Sequence, residues 1–179
     1  MRIIAGEAGG RNLASPSGQE IRPTPERARE ALFSMVGNLA DAVVVDACAG
    51  TGALGCEALS RGAALCYFID TSDEALDLIE ENLDRVGAAD DAVVLQGDVV
   101  ESLPLIYDDP DLWFLDPPYG SGLGIQTLRA MAESPAVTED ALVVFEQSTL
   151  EENVPELDAF RIEDQREYGK TRLVFYRRL

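Results

Sequence analysis

The sequence contains no histidine. That removes the commonest general base and, with it, any Ser/His/Asp or Cys/His catalytic constellation. The three cysteines, Cys48, Cys56 and Cys66, form no Cys-x-x-Cys pair, so no metal site is expected and the thiols read as buried and reduced. No apolar run approaches the ~20 residues that cross a bilayer, and Met1-Arg2-Ile3-Ile4-Ala5 lacks a signal-peptide core. A soluble, cytoplasmic chain with no membrane partner is the expectation. Internal repeats and low-complexity tracts are absent too. Lysine is nearly missing, with Lys170 the single one beside thirteen arginines.

What remains is acid. The chain of 179 residues carries a net charge of −19, at a length that suits one domain with at most a small appendage. Such acidity opposes a nucleic-acid partner, but its distribution does not. Arg2, Arg11, Arg22, Arg27 and Arg29 precede Ser34, and Arg161, Arg166, Lys170, Arg172, Arg177 and Arg178 follow Phe160. A polyanion therefore has two basic ends on which to dock.

The opening Arg2–Ala5 and Arg11–Leu13, separated by Gly6, Gly9 and Gly10, read as a small hairpin. Arg22-Pro23-Thr24-Pro25-Glu26-Arg27 then leads into a helix with Ala28, Ala31, Leu32, Met35 and Val36 on its apolar side. Thr24 is placed to cap it, and Pro25 at the first helical position sacrifices no hydrogen bond. From Ala42 short apolar strands alternate with helices. The strands are 43–45 ending at Asp46, 65–69 ending at Asp70, 93–95 ending near Asp98, 112–115 and 142–145. This pattern predicts a parallel sheet covered on both faces. Two last runs joined through Gly169-Lys170 predict a closing antiparallel hairpin, for seven strands in all.

The fourth of those strands ends in Asp116-Pro117-Pro118-Tyr119, followed by the glycine-rich 120–124. Proline cannot donate to a sheet ladder and pushes its predecessor toward extended geometry. The Asp116 carboxylate and the Pro117 carbonyl should therefore point outward at the end of the sheet where α/β proteins bind ligands. Two acceptors side by side suit the two hydrogens of a planar exocyclic amine, and Tyr119 offers a ring face to a base outside its stack. Gly120, Gly122 and Gly124 are expected to let the following loop close. A turn with a packing tyrosine is the plainer alternative.

Between the first strand and its helix, residues 46–55 contain Gly50-x-Gly52-x-x-Gly55. In strand–turn–helix context these glycines admit either a nicotinamide dinucleotide or S-adenosylmethionine. The carboxylates discriminate. Asp46, immediately before the loop, repels a pyrophosphate but attracts a cationic amino-acid moiety. Asp70 can take both ribose hydroxyls, and Asp98 can accept from an adenine amino group. With Ala49, Gly50, Thr51 and Gly52 they compose an expected S-adenosylmethionine site.

At this point the chain resembles the RsmD-type family of bacterial small-subunit ribosomal RNA guanine-N2 methyltransferases. The resemblance is carried by residues 2–6, Gly10-Arg11, Arg22-Pro23-Thr24 with Arg27, residues 30–33, 46–55, 57–63 and 116–119, and Tyr168-Gly169 with Thr171. It departs at Cys48, where the family usually has Phe, and at Asp70, where Glu is frequent. The resemblance implies a Rossmann-like class I methyltransferase fold at 41–179 with an RNA-facing hairpin and helix at 1–40. It also implies methyl transfer to a guanine N2, with Asp116, Pro117 and Tyr119 as catalytic residues. The RNA-facing set is Arg11, Arg22, Thr24, Arg27, Lys170 and Arg172, on a monomer acting on small-subunit RNA within a partly or fully assembled particle. A DNA adenine-N6 methyltransferase shares the Asp-Pro-Pro-Tyr corner, a nicotinamide-dependent reductase shares the glycines, and an RNA-binding module without turnover remains open.

Replacing Arg22 and Arg27 together by alanine should weaken binding of small-subunit RNA and flatten its salt dependence. Filter binding across a salt series checks this, and unchanged slopes would leave the two arginines as an ordinary solvated face.

Overall fold

The computed structural model describes residues 1–16, 26–151 and 154–179. Arg22, Thr24 and Pro25 lie outside them. The apolar runs form β1 (Val43–Ala47), β2 (Leu65–Asp70), β3 (Ala92–Gln96), β4 (Leu112–Leu115) and β5 (Leu142–Ser148), followed by the hairpin β6 (Phe160–Tyr168) and β7 (Thr171–Arg178). Between them run α1 (Glu26–Val36), α2 (Ala53–Ser60), α3 (Asp73–Val86), the short α4 (Val99–Ser102) and α5 (Leu123–Glu133). The sheet order is β3-β2-β1-β4-β5-β7-β6. β1 to β5 are parallel, and β7 returns antiparallel to β5. Strand order reverses between β1 and β4, the place where an open α/β sheet splays its loops and makes a crevice. This is the expected seven-stranded class I methyltransferase fold.

Alternation along each strand divides the core. Val44, Phe68, Phe114 and Val144 face α1, α2 and α3, while Val45, Ile69, Leu115 and Val143 pack toward Leu128 and Met131 of α5. A period of two places neighbours on opposite faces, so continuous apolar strands are what a sheet covered on both sides requires. Among the described residues no helix is long and apolar enough to cross a membrane.

The N-terminal hairpin is minimal, an Arg2–Asn12 bridge with the Ile3 N–H donating to the Arg11 carbonyl. It is stitched to α2 by polar groups. Glu57, fully buried, accepts from the amides of Ile4 (2.7 Å) and Ala5 (3.1 Å) and pairs with Arg61 at 2.7 Å. The Ser60 hydroxyl donates to the Ala5 carbonyl and accepts from the Ala8 amide. Gly6 sits so tightly on Ser60 that a Cβ there would lie 1.7 Å from the Ser60 carbonyl oxygen, at a φ of +83°. Arg61 stacks over Phe33, which meets Phe114 edge-to-face and seats α1 on the sheet.

Three features depart from the sequence reading. Arg29, counted there among the basic residues of the N-terminal end, is 3% exposed and donates to the Arg2 carbonyl, because its position turns inward with Ala28 and Leu32. Asn82 is fully buried within α3, beside its apolar stripe. β5 continues three residues beyond Phe145, since β7 pairs with it as far as Ser148 opposite Thr171.

Glu57→Ala should remove acceptors from two amides and the partner of Arg61, costing about 3 kcal/mol or more of stability. Chemical denaturation measures the loss, and hydrogen exchange should accelerate at the Ile4 and Ala5 amides.

Candidate active site

The strand ends at the reversal carry the acids. Leu115 is in register with Phe145 of β5 and with Ala47 of β1, and Ala47 with Ile69 of β2. One residue further on, Asp70, Cys48, Asp116 and Glu146 therefore form one row across four strands, two residues beyond the row of Asp46. Above them opens a cavity of about 720 Å³, a size typical of sites for small molecules. Asp46, Asp70, Glu74, Asp98, Asp116 and Glu146 contribute to its wall, and among the described residues Arg29 is its one basic side chain. The N-terminal arm closes one side through Met1, Ser15 and Pro16.

The glycine loop is folded onto its own acids. Asp46 is 1% exposed, and its Oδ2 accepts from the Gly55 N–H at 2.8 Å, inside the first turn of α2. Asp70 accepts from the Gly50 N–H at 2.9 Å and from Ser72 at 3.0 Å. The Gly52 amide donates to the Ala49 carbonyl and the Ala49 amide to Ile69. With three of its amides satisfied internally, the loop is a poor cradle for a pyrophosphate. Gly55 is required for another reason, since a Cβ would lie 2.2 Å from the Phe68 ring. Asp98 caps α4 by accepting from Val100 at 2.8 Å. Thr51 is held from behind, its carbonyl accepting from Asn82 Nδ2 at 2.8 Å, while the same side chain binds both the amide and the carbonyl of Ala14.

Burial pushes the Asp46 carboxyl up to about 7, against the Gly55 hydrogen bond and with help from the Asp70 charge. The Cys48 thiol, in the midst of these acids, is pushed up to about 12 by burial and then by Asp70, Asp116, Asp46 and Asp98. Acids facing one another, one buried and the others half-buried, favour a cationic ligand. The residues present therefore fit S-adenosylmethionine, with its sulfonium and ammonium groups, better than a dinucleotide. Asp46, Asp70 and Asp98 lie in this wall with Ala49, Gly50 and Thr51, and Gly52 stands at the head of α2.

Asp116, Pro117 and Tyr119 also reach the cavity. Burial, then the charges of Glu146 and Asp46, hold the Asp116 carboxyl well above the usual carboxylate range. Tyr119 is 48% exposed; its phenol donates to Glu146 Oε1 at 2.5 Å and lies 3.1 Å from Thr171 Oγ1. Burial and the Glu146 bond raise the phenol, while Thr171 opposes them. Neither Glu146 nor Thr171 was picked out as a site residue from sequence. Glu146 had one visible signal, an acid directly after an apolar strand. Gly124 differs from the expected loop-closing role: it lies in α5, where a Cβ would come within 2.6–2.7 Å of Phe145 and Pro117. Gly120 and Gly122, with φ of +71° and +72°, are the turn formers.

The basic candidates divide. Arg11 donates to the Arg85 carbonyl at the end of α3. Arg172 pairs with Glu167 and donates to the Glu151 carbonyl. Arg27 and Lys170 are exposed and make no ion pair among the described residues, with Lys170 in the turn next to Thr171.

The family described as Conserved hypothetical protein 95 matches residues 1–177. The chain is 33% identical over 160 residues to ribosomal RNA small subunit methyltransferase D of Escherichia coli K12, covering 89% of this chain and 80% of that one. It is 32% identical to YlbH of Bacillus subtilis over 183 residues, covering 99% of both. Among solved structures, yhhF of Escherichia coli superposes with a TM-score of 0.87 at 30% identity, over 99% of this chain and 97% of that one. With the fold, the acid-lined cavity and these relatives in agreement, the chain belongs to the RsmD family of ribosomal RNA methyltransferases.

Proposed function

We propose that this protein transfers a methyl group from S-adenosylmethionine to the exocyclic N2 of a guanine in small-subunit ribosomal RNA. The observation that carries the reading is the placement of Asp116 and Pro117 at the end of β4, in an acid-lined cavity beside a half-exposed tyrosine. An aryl amine is a poor nucleophile because its lone pair is delocalised into the ring. Acceptors at Asp116 and the Pro117 carbonyl take its two N–H groups and aim the lone pair into the cavity, so catalysis rests on positioning and electrostatics without a histidine. Tyr119 stacks on the extruded base, a contact worth ~1–3 kcal/mol. When bound, the donor supplies an electrophilic methyl group on a cationic sulfur. Asp46, Asp70 and Asp98, with Ala49 to Gly52, hold it, and Asp116 or water receives the proton that the methylated nitrogen sheds.

The first forty residues, with exposed Arg27, face the RNA from one side, and Lys170 does so from the β6–β7 turn. So few uncommitted cations favour a partly or fully assembled subunit as substrate, in which other components share the contact. The sealed amides of the glycine loop argue against the nicotinamide alternative.

Labelled methyl donor offered to naked small-subunit RNA, to subunits at successive assembly stages and to duplex DNA should mark a guanine in the subunits and nothing in the DNA. Asp116→Ala should abolish that turnover while affinity for S-adenosylhomocysteine stays within a few-fold; equal loss of both would remove the assigned role.

A second prediction concerns protons. The folded chain keeps a proton on Asp46 that the unfolded chain loses above the ordinary 3.8, so stability without ligand falls as pH rises from there toward about 7. A cationic ligand reverses this by ionising the carboxyl. S-adenosylhomocysteine, which keeps the ammonium group, should therefore raise Tm more at about pH 8 than at about pH 5. Thermal melts read the difference, and equal shifts would show the cavity acids already ionised.

A further inference from the structure

We propose that Glu146 is a positioning residue for the methyl-transfer corner, holding the Tyr119 ring by its phenol and, from the strand beside Asp116, governing whether that carboxyl carries a proton. The inference rests on the roles given to Asp116 and Tyr119 above.

The geometry comes from sheet register. Leu115 and Phe145 are partners on parallel strands, so Asp116 and Glu146 follow them side by side, at the ~4.8 Å spacing of neighbouring strands. Glu146 is 6% exposed and lines the same cavity as Asp116. Its Oε1 takes the Tyr119 phenol hydrogen at 2.5 Å, and Thr171 approaches the same phenol oxygen from β7. Anchored at its tip from two strands, the ring of Tyr119 keeps one orientation while half its surface stays open to a base.

The second task follows from the company Asp116 keeps. Glu146 faces it from β5, Asp46 and Cys48 from β1 and its loop, and Tyr119 from its own turn; Asp70 and Asp98 complete the acid wall, and Arg29 enters the cavity from α1. Two carboxyls side by side at the cavity wall, Glu146 buried and Asp116 half-buried, do not both ionise readily and titrate as a pair. One proton held on the pair keeps Asp116 a poor acceptor for an amine. A cation entering beside it expels that proton, and Asp116 becomes acceptor-only. The corner is thus competent for an N–H group after the cationic donor has bound.

The test follows Asp116 directly. In full-length protein labelled with ¹³Cγ-aspartate, the Asp116 resonance is identified by its loss in Asp116→Asn and titrated by NMR. Its midpoint should lie above the ordinary carboxylate range in the wild type and fall by about one pH unit or more in Glu146→Gln, which removes the charge but still accepts from Tyr119. Glu146→Asp, which keeps a charge on a shorter arm, should leave the midpoint raised. The acid limb of the pH profile of kcat/KM should move down in step in Glu146→Gln, and Glu146→Leu, with no acceptor, should raise KM for the RNA substrate more than Glu146→Gln does. An unmoved midpoint in a Glu146→Gln protein that still binds S-adenosylhomocysteine overturns the proposal. A moved midpoint in a protein whose wild type methylates no RNA upholds the carboxyl pair and overturns the functional reading instead.

Discussion

The site is governed by mutual repulsion among carboxyl groups that the sheet forces together. Parallel register sets Asp116 beside Glu146, with Asp70 across Cys48 in the same row of the carboxyl edge, and Asp46 lies one pleat below them. Out of bulk water such charges interact several times more strongly than on a surface. Some of the strain is relieved by main-chain donors, Gly55 for Asp46 and Gly50 with Ser72 for Asp70. The rest shows as a raised affinity of Asp46 and Asp116 for protons, and a positively charged ligand would relieve it as well. That arrangement suits a positively charged ligand better than an anionic one. The same acids that repel one another bind the loop amides a pyrophosphate would need.

The arm that precedes α1 belongs to this site as well as to the core. Glu57 and Ser60 fasten the first residues to α2, and Asn82 binds Ala14 on one side and Thr51 on the other. A single buried amide side chain thus connects the arm at the cavity mouth with the loop that forms its floor. Several of the scarce arginines serve comparable tasks. Arg11, Arg29, Arg85, Arg172, Arg177 and Arg178 each donate to a main-chain carbonyl. Such donors satisfy loop and helix-end carbonyls that would otherwise depend on water. In a chain this acidic, cations committed to the fold are withdrawn from any polyanion, whereas Arg27 and Lys170 are exposed and make no ion pair among the described residues.

Much of this was legible in the linear sequence. Short apolar runs, four of them ending at or near an aspartate, gave away the strands, and the glycines at 50, 52 and 55 with the prolines at 117 and 118 marked the two turns that make the site. Those signals are local, because backbone restrictions act within a few residues. Other features were not legible, among them the inward turn of Arg29, the burial of Asn82, the extension of β5 to Ser148 and the packing role of Gly124. Each depends on a partner far along the chain.

The sequence by itself determined the alternation that builds a doubly covered parallel sheet, the acids at the strand ends and the stiff Asp116-Pro117-Pro118-Tyr119 corner, since periodicity and proline geometry need no distant contact. Tertiary structure alone decided that Glu146 and Thr171 grip Tyr119, that Glu146 stands beside Asp116, and that Asn82 joins arm to loop. The physical reason is register. Which residues of separate strands come to lie side by side is set by how whole layers pack, and no stretch of sequence read alone contains that alignment.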